Sequence, residues 1–261
     1  MAIATPSAPR DAAPAPAAAS PAASSVAAAP TLAWEVVGRI PHASDAFLQG
    51  LAFDPDGRLW ASTGLYGRSS VRELDPATGA VLRSAALPVT AFGEGIALGA
   101  AGELVQLTWQ EGTAFRWERT TLRPLPPFTY TGEGWGLCAD GERLVMSDGS
   151  DRLTFRDPAT FAVTGSVAVT RDGLPVRLLN ELECADGAVW ANVWQTETIV
   201  RIDPSTGVVT GVLDLDGLLE PDPAAADPVA VLNGIARIPG RDTWLVGGKL
   251  WPALLEIRID G

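Results

Sequence analysis

The chain has 261 residues, of which 47% are hydrophobic, and a formal net charge of −12 at pH 7. This length allows a substantial core in one large β-domain or two ordinary domains. The acidic charge argues against nucleic acid or an anionic membrane surface as a partner. Nine tryptophans beside two tyrosines are unusual, and they favour a cavity lined by aromatic side chains in addition to a core.

Residues 1 to about 30 are almost entirely Ala, Pro and Ser. Such a segment cannot bury enough apolar surface to order itself, so residues 1–30 are predicted to be a disordered tail and residues 31–261 the folded domain. The tail shows no apolar core of a signal peptide, and no segment is long enough to span a membrane. Because tails of this composition often join an export signal to a secreted domain, we expect a periplasmic or extracellular protein.

From Thr31 onward, short apolar segments alternate with turn motifs, and no long helical period is visible. The motif Asp-Pro-x-Thr-Gly occurs at residues 75–79 and 203–207, and a degraded copy occurs at residues 157–160. Residues of this kind are typical of tight turns between antiparallel strands, so the pattern predicts an all-β protein. We interpret the aspartates as turn residues because the full spacing of a calcium loop is missing.

The starts of the apolar strands repeat five times along the chain. The repeated Leu or Ile positions lie 45, 41, 45 and 53 residues apart, at Leu51, Ile96, Leu137, Leu182 and Ile235. A period of roughly 40 to 50 residues with about four strands indicates a β-propeller. The sequence therefore predicts five four-stranded antiparallel blades. An open ring would expose two strand edges, so the N-terminal strand (residues 34–40) and the C-terminal strand (residues 254–259) are predicted to pair in blade five.

Propeller geometry gathers residues from every blade at one end of the central channel. The first strand of each blade lines the channel and the second runs back, so the start of one and the end of the other share a face. The first strands contribute Gln49, Glu94, Trp135, Asn180 and Asn233. The second strands contribute Thr63, Trp109, Asp148, Trp194 and Lys249, with Trp251 close behind. Because these residues differ between blades, we interpret them as a ligand pocket with a titratable centre.

The histidine and cysteine content restricts the chemistry. The single histidine, His42, excludes a multi-histidine zinc site and argues against a Ser-His-Asp triad. The two cysteines, Cys138 and Cys184, lie in predicted strands without a CxxC motif or a Cys/His cluster. We therefore interpret them as buried free thiols in preference to a disulfide.

Ten short motifs occur in order between residues 34 and 259. They are FLQGL (47–51), STGLYG (62–67), FGEG (92–95), QLTW (106–109), GEGWGL (132–137), MSDGS (146–150), LNELE (179–183), ANVW (191–194), LNGI (232–235) and GKLWP (248–252). Each motif is weak alone, but ten in register are specific, and together they resemble the plant- and bacterial-type glutaminyl cyclases. That family is a five-bladed propeller that converts an N-terminal glutaminyl residue into pyroglutamate with release of ammonia, and it differs from the zinc-dependent animal type.

The resemblance implies a role for each pocket residue. The α-amine must lose a proton before it attacks its own γ-carboxamide, and departing ammonia must gain one. Glu94 is predicted to shuttle this proton, with a pKa raised by the surrounding aromatic side chains. Lys249 is predicted to polarise the γ-carbonyl, unless it only forms an ion pair with Glu94 or Asp148. Gln49 is also predicted to be catalytic. The residues predicted to bind the substrate are Phe47, Phe92, Trp109, Trp135, Asn180 and Trp194.

Gln49 and Asn180 can hydrogen-bond the amide and the main chain of the substrate, although capping of the protein's own backbone is an alternative for both. No cofactor or catalytic metal is expected, and the resemblance allows a structural calcium ion held by main-chain carbonyls in the channel. The expected partners are peptides or proteins with an N-terminal Gln, and the expected state is a monomer.

Two other functions are compatible with the sequence. A metal-dependent propeller lactonase or esterase would need several inward carboxylates and amides around a divalent ion, whereas Glu94 is the only acid among the five strand starts. A non-catalytic propeller would bind peptides through its face and would release no ammonia from a peptide that begins with Gln.

Overall fold

The computed structural model describes residues 28–219 and 228–260, and the regular secondary structure in these ranges is entirely β-strand. The strands are, in chain order, β1 (Ala33–Pro41), β2 (Leu48–Phe53), β3 (Leu59–Thr63), β4 (Ser70–Leu74), β5 (Val81–Ala86), β6 (Gly93–Leu98), β7 (Leu104–Thr108), β8 (Thr113–Trp117), β9 (Pro124–Thr129), β10 (Leu137–Asp140), β11 (Arg143–Met146), β12 (Arg152–Arg156), β13 (Val163–Ala168), β14 (Thr170–Arg171), β15 (Leu174–Pro175), β16 (Leu179–Ala185), β17 (Ala188–Val193), β18 (Thr198–Ile202), β19 (Val209–Asp214), β20 (Leu232–Arg237), β21 (Trp244–Gly248) and β22 (Ala253–Asp260).

Five four-stranded antiparallel sheets form the blades of a propeller, which confirms the predicted fold class. Blade 1 contains β2–β5, blade 2 β6–β9, blade 3 β10–β13 and blade 4 β16–β19, and blade 5 combines β20–β22 with β1. The first strands β2, β6, β10, β16 and β20 contact one another in a ring around the central channel. The short strands β14 and β15 form a separate hairpin between blades 3 and 4.

Strand β1 closes the ring as the sequence predicts. It pairs antiparallel with β22 from Ala33 opposite Asp260 to Pro41 opposite Ala253. This pairing joins the two ends of the described chain and covers the edge of β22. The predicted tail lies outside the described residues except for its last three. Of these, Ala29 N donates a hydrogen bond to Asp172 Oδ1 (3.1 Å), and Pro30 O accepts one from Val212 N (2.9 Å).

The core consists of five apolar clusters among the described residues, one in each seam between neighbouring blades. In the seam between blades 4 and 5, for example, the rings of Trp190 and Trp244 lie 4.8 Å apart. Six of the nine tryptophans pack in these seams, namely Trp34, Trp60, Trp117, Trp190, Trp244 and Trp251. The other three are therefore available for a site.

A bulge interrupts the pairing of the first and second strands at the same end of four blades. The register shifts fall between Leu48 and Gly50, Gly93 and Ile96, Leu179 and Leu182, and Leu232 and Ile235. A bulge removes residues from the regular ladder and changes where their side chains point. The polar residues inside these bulges are Gln49, Glu94, Asn180, Glu181 and Asn233.

A glycine follows the strand start in four of the five blades and allows the inner strands to converge, whereas blade 4 has Glu181 at this position. A Cβ atom on Gly95 would lie 2.5 Å from the backbone N of Leu137 in the next blade. Gly95 has no positive φ angle, so the requirement here is for space and not for a left-handed backbone.

The aspartates of the repeated turn motif act as turn residues, as interpreted from the sequence. Asp75 Oδ1 accepts hydrogen bonds from the backbone N–H groups of Ala77 and Thr78, both at 2.9 Å. These bonds lower the pKa of the Asp75 carboxyl. Asp203 Oδ1 accepts the equivalent bond from Ser205 N at 2.8 Å.

The interpretation of the cysteines as free thiols was wrong. Cys138 and Cys184 form a disulfide, and their Cα atoms are 5.4 Å apart. Cys138 lies in β10 and Cys184 in β16, which are the innermost strands of adjacent blades. The two residues are 46 positions apart in the sequence, but the closure of the ring brings their strands side by side. Local strand patterns carry no information on this adjacency.

Removing the disulfide is expected to lower the free energy of unfolding. Closing a loop of 46 residues stabilises a protein by about 4 kcal/mol in the loop-entropy model. The double variant Cys138→Ser, Cys184→Ser should therefore unfold at a lower denaturant midpoint than the wild type. A thiol reductant should lower the denaturant midpoint of the wild type and leave the midpoint of the double variant unchanged. Equal midpoints for the oxidised wild type and the double variant would contradict this expectation.

Candidate active site

One end of the central channel opens into a cavity of about 180 Å³. All five blades contribute to its lining, which consists of Phe47, Gln49, Phe92, Glu94, Trp109, Trp135, Asn180, Trp194 and Lys249. These are the nine residues to which the sequence analysis assigned catalysis or substrate binding. The fold therefore brings the complete predicted set together.

Four other residues that were predicted for this face do not line the cavity. Thr63 is still paired within β3, and its Oγ1 hydrogen-bonds Ser70 Oγ at 2.8 Å. Asp148 is exposed and accepts a bond from Ser150 N, while the buried Trp251 donates from Nε1 to Ala230 O. Asn233 lies behind Gln49.

Thr63 lies one residue before the position that reaches the cavity. It is the last residue of β3 and pairs with Leu48, just as Thr108 is the last residue of β7 and pairs with Gly93. Trp109 follows the last residue of β7, and Trp194 follows the last residue of β17. The corresponding position after β3 is Gly64, and a Cβ atom there would lie 2.3 Å from the ring of Phe92. The space that a tryptophan takes in blades 2 and 4 is thus filled by Phe92 in blade 1.

Aromatic side chains form the wall of the cavity. Phe92 meets Phe47 and Trp109 edge to face, with ring centroids 6.0 and 5.7 Å away. Trp135 meets Trp194 in the same manner, with centroids 5.4 Å apart and planes at 89°. These contacts hold the rings around the cavity and give it an apolar wall.

Lys249 closes the wall between blades 4 and 1. Its Nζ lies 4.9 Å from the ring centroid of Phe47 and 5.8 Å from that of Trp194, within the range of cation–π attraction. Burial lowers the pKa of Lys249, and the nearby Glu94 charge opposes this shift. Within residues 28–219 and 228–260, no carboxylate lies within 4.0 Å of Nζ. The alternative of a direct ion pair with Glu94 or Asp148 is therefore not what the structure shows.

Glu94 is 5% exposed and contributes the carboxyl group of the cavity. Burial raises its pKa well above the usual value, as predicted. The charge of Lys249 lowers this pKa, whereas the charges of Glu133 and Glu111 raise it further. Oε1 accepts a hydrogen bond from Gln49 Nε2 at 2.8 Å. In the described part of the chain no donor reaches Oε2, so this oxygen is free for a ligand.

A chain of amides fixes the orientation of Gln49. Asn233 Nδ2 donates to the main-chain carbonyl of Leu48 (3.1 Å) and to Gln49 Oε1 (2.8 Å). Because a carbonyl can only accept, the Asn233 nitrogen must point this way, and Gln49 must then turn its NH₂ group towards Glu94. Gln49 thus supports the catalytic candidate and does not cap the backbone, which was the alternative for this residue.

Asn180 presents an unpaired acceptor. The residue is 3% exposed, and its Oδ1 has no hydrogen-bond partner among the described residues. An unpaired buried polar atom costs about 1–3 kcal/mol. Since Asn180 lines the cavity, a ligand N–H group can satisfy Oδ1.

Glu133 belongs to the site although the sequence analysis gave it no role. Its Oε2 accepts hydrogen bonds from the indole Nε1 atoms of Trp109 and Trp135, both at 2.9 Å. Its Oε1 accepts a bond from Gln110 Nε2 at 3.0 Å. A carboxylate two residues before a pocket tryptophan was the signal that could have identified it.

The comparison with known proteins agrees with this geometry. Residues 11–259 match the family model for glutamine cyclotransferase. The chain belongs to the glutamine cyclotransferase family. It is 43% identical over 231 residues to a glutaminyl-peptide cyclotransferase of Arabidopsis thaliana, which covers 86% of this chain and 71% of the relative. It also resembles the crystal structure of Myxococcus xanthus glutaminyl cyclase, with a TM-score of 0.82, 40% identity, and coverage of 89% of this chain and 98% of that one.

Membership of the glutamine cyclotransferase family confirms the resemblance that the ten motifs indicated.

One further buried carboxyl group, Glu181, was missed as a channel residue. Its two oxygens accept bonds from the backbone N–H groups of Leu51 (3.1 Å) and Ile235 (2.8 Å). Burial raises the pKa of Glu181 well above its usual value, although these two bonds lower it. Glu181 ties the inner strands of blades 1, 4 and 5 together below the cavity.

A second cavity, of about 290 Å³, lies at the opposite end of the channel, where the inner strands end. It is lined by the disulfide and by Glu183, whose Oε1 accepts a bond from Arg237 N at 3.0 Å. Burial raises the pKa of Glu183 to about 8 against the opposing effect of Arg237. Since none of the family motifs places an aromatic wall at this end, the first cavity is the candidate active site of this cyclotransferase family member.

Two further findings concern the described part of the chain alone. Its His, Cys, Asp and Glu side chains form no group of three that could hold a metal ion. It also contains no helix with the length and hydropathy needed to cross a membrane.

Proposed function

We propose that this protein is a glutaminyl-peptide cyclotransferase that converts the N-terminal glutamine of peptides or proteins into pyroglutamate and releases ammonia. The observation that carries the proposal is the buried Glu94, with its raised pKa, in an aromatic cavity that also holds Lys249 and the unpaired Asn180 oxygen. Membership of the family and the names of the two relatives support it.

The size of the cavity suits a single residue. Its volume of about 180 Å³ is below the ~300–1,000 Å³ of pockets for drug-sized ligands. The reaction joins two groups of one residue, so a pocket for one residue is sufficient. Aromatic walls restrict the glutamine side chain to the rotamer in which the amine approaches the γ-carbonyl, and this ordering supplies much of the rate enhancement of an intramolecular reaction.

In the proposed mechanism the substrate binds with its α-ammonium group near Glu94. The free Oε2 of the Glu94 carboxylate accepts a proton, and the neutral amine attacks the γ-carbonyl carbon. Lys249 stabilises the oxyanion of the tetrahedral intermediate. Protonated Glu94 then donates to the leaving nitrogen, the C–N bond breaks, and ammonia departs. The ring nitrogen still carries two protons, of which the lactam keeps one. Glu94 accepts the other proton and transfers it to the released ammonia, so that Glu94 ends the cycle as a carboxylate.

Two amides complete this mechanism. Gln49 donates to Glu94 Oε1 in either protonation state of the carboxyl and so keeps Oε2 directed towards the substrate. Asn180 Oδ1 accepts a hydrogen bond from the amine or the carboxamide of the substrate, which satisfies its unpaired state.

We further propose that the reaction needs no cofactor and no zinc. The polar groups of the cavity are one carboxyl, one amine and two amides, and these supply the proton transfer and charge stabilisation that ring closure requires. The family resemblance is the basis of a separate proposal, that the channel holds a structural calcium ion. The disulfide supports a periplasmic or extracellular location, because such bonds persist in oxidising compartments. We propose a monomer, since one chain completes the cavity.

Mass spectrometry of Gln-Xaa peptides tests the function. The wild type is expected to remove the mass of one ammonia from a peptide with a free N-terminal Gln and to leave the N-acetylated peptide unchanged, because acetylation removes the nucleophile. EDTA should not affect turnover. Loss of thermal stability in EDTA that calcium reverses, with turnover intact, would support the structural calcium ion.

Other results would favour the rival functions. Turnover abolished by EDTA would favour a metal-dependent lactonase or esterase. Peptide binding without ammonia release would favour a non-catalytic propeller.

A further inference from the structure

The two indoles on either side of the seam between blades 2 and 3 share one acceptor. Trp109 follows β7 of blade 2, and Trp135 precedes β10 of blade 3. Trp109 touches the ring of Phe92, and Trp135 touches the ring of Trp194, but among the described aromatic residues Trp109 and Trp135 form no ring contact with each other. Glu133 Oε2 bridges them instead, with a hydrogen bond of 2.9 Å from each indole N–H.

We propose that Glu133 is a positioning residue, which holds the indoles of Trp109 and Trp135 as walls of the substrate cavity and places a fixed negative charge near Glu94. The proposal rests on the cyclotransferase function proposed above. An indole has a single polar atom, which can only donate. Directing both N–H groups at one oxygen therefore fixes how each ring turns towards the cavity.

The third hydrogen bond makes this acceptor rigid. Gln110 Nε2 donates to Oε1, so both carboxylate oxygens are engaged. Partial burial raises the pKa of Glu133, but the bonds from Trp135, Gln110 and Trp109 outweigh this and lower it overall. Glu133 thus stays ionised, and its charge contributes to the raised pKa of Glu94.

The walls and the charge can be separated by two substitutions. Glu133→Ala removes both, and misplacement of the walls is expected to decrease kcat/KM by about 10²-fold. Glu133→Gln keeps one oxygen acceptor for both indoles and removes the charge. Its NH₂ group then faces Gln110, whose exposed amide can turn its oxygen towards it. Its kcat/KM should stay near that of the wild type. Its pH profile should shift to lower pH on the acidic side, because Glu94 loses its proton more readily without the neighbouring anion.

The control is Glu142→Gln, in the exposed turn between β10 and β11 at the other end of blade 3. It should change neither the rate nor the pH profile. If Glu133 only stabilised the fold, the folded Glu133→Gln variant would have the same acidic side of the pH profile as the wild type. That result would overturn the charge part of the proposal.

A readout independent of turnover tests the walls. The indole N–H resonances of Trp109 and Trp135, identified with Trp109→Phe and Trp135→Phe, should shift and exchange faster in Glu133→Ala. They should stay close to the wild-type positions in Glu133→Gln. Unchanged resonances in Glu133→Ala would refute the positioning role. If the wild type released no ammonia, the proposed function would fail, while the resonances would still decide whether Glu133 holds the indoles.

Discussion

Replacement of Glu94 by Gln is expected to lower kcat/KM for a Gln-initiated peptide by about 10²–10⁴-fold, the usual contribution of general acid–base catalysis. Gln has the shape of Glu, and its side-chain oxygen can still accept the bond from Gln49 Nε2. The cavity should therefore keep its form, while the group that carries the proton is lost. Ammonia release and peptide mass give the rate, and the unfolding midpoint reports on the fold.

The residual activity of Glu94→Gln has a distinctive pH dependence. Without the shuttle, only substrate whose α-amine is already neutral can cyclise, so the residual rate should rise with pH through the amine pKa of about 8. The control is again Glu142→Gln, the same change at an exposed position. A folded Glu94→Gln variant with full activity would refute the assignment of Glu94 as the proton shuttle.

Replacement of Lys249 by Met is expected to lower kcat by about 10²–10³-fold, the cost of losing one oxyanion-stabilising group. Met keeps an unbranched apolar stem between Phe47 and Trp194, so substrate binding should suffer less than turnover. The charge of Lys249 lowers the pKa of Glu94. Its removal should raise that pKa further and move the acidic side of the kcat/KM profile to higher pH, opposite to the shift expected for Glu133→Gln.

Lys249 offers a direct check because it is the only lysine in the chain. Apart from the chain terminus, an amine-selective acylating reagent has no other amine to modify. A Gln-initiated peptide should protect Lys249 from this reagent more than an equal concentration of a peptide with a different free N-terminal residue, which consumes the same amount of reagent. Modification should remove activity in parallel. Full turnover by Lys249→Met, or modification of Lys249 without loss of activity, would contradict a catalytic role for its ammonium group.

The sequence alone was sufficient to predict the propeller and the nine residues that line the cavity. The five repeated strand starts, from Leu51 to Ile235, determine the number of blades because each repeat is a local hydrophobic pattern followed by a turn. Once the blades are counted, topology places Glu94 and Trp109 at the same end of the channel. The closure of the ring by β1 follows from the cost of an exposed strand edge.

Tertiary structure decided the contacts between blades. The disulfide between Cys138 and Cys184 and the bonds from two indoles to Glu133 join different blades. The exclusion of Thr63 from the cavity depends on the pairing register, which makes Thr63 equivalent to Thr108 and not to Trp109. The upward shift of the Glu94 pKa was predictable from its aromatic neighbours. The charge of Lys249, which lowers this pKa, and that of Glu133, which raises it, act through space and depend on the tertiary structure. Periodicity along a chain describes what each strand buries, whereas distances across a seam are set only when the ring closes and its bulges turn particular side chains into the channel.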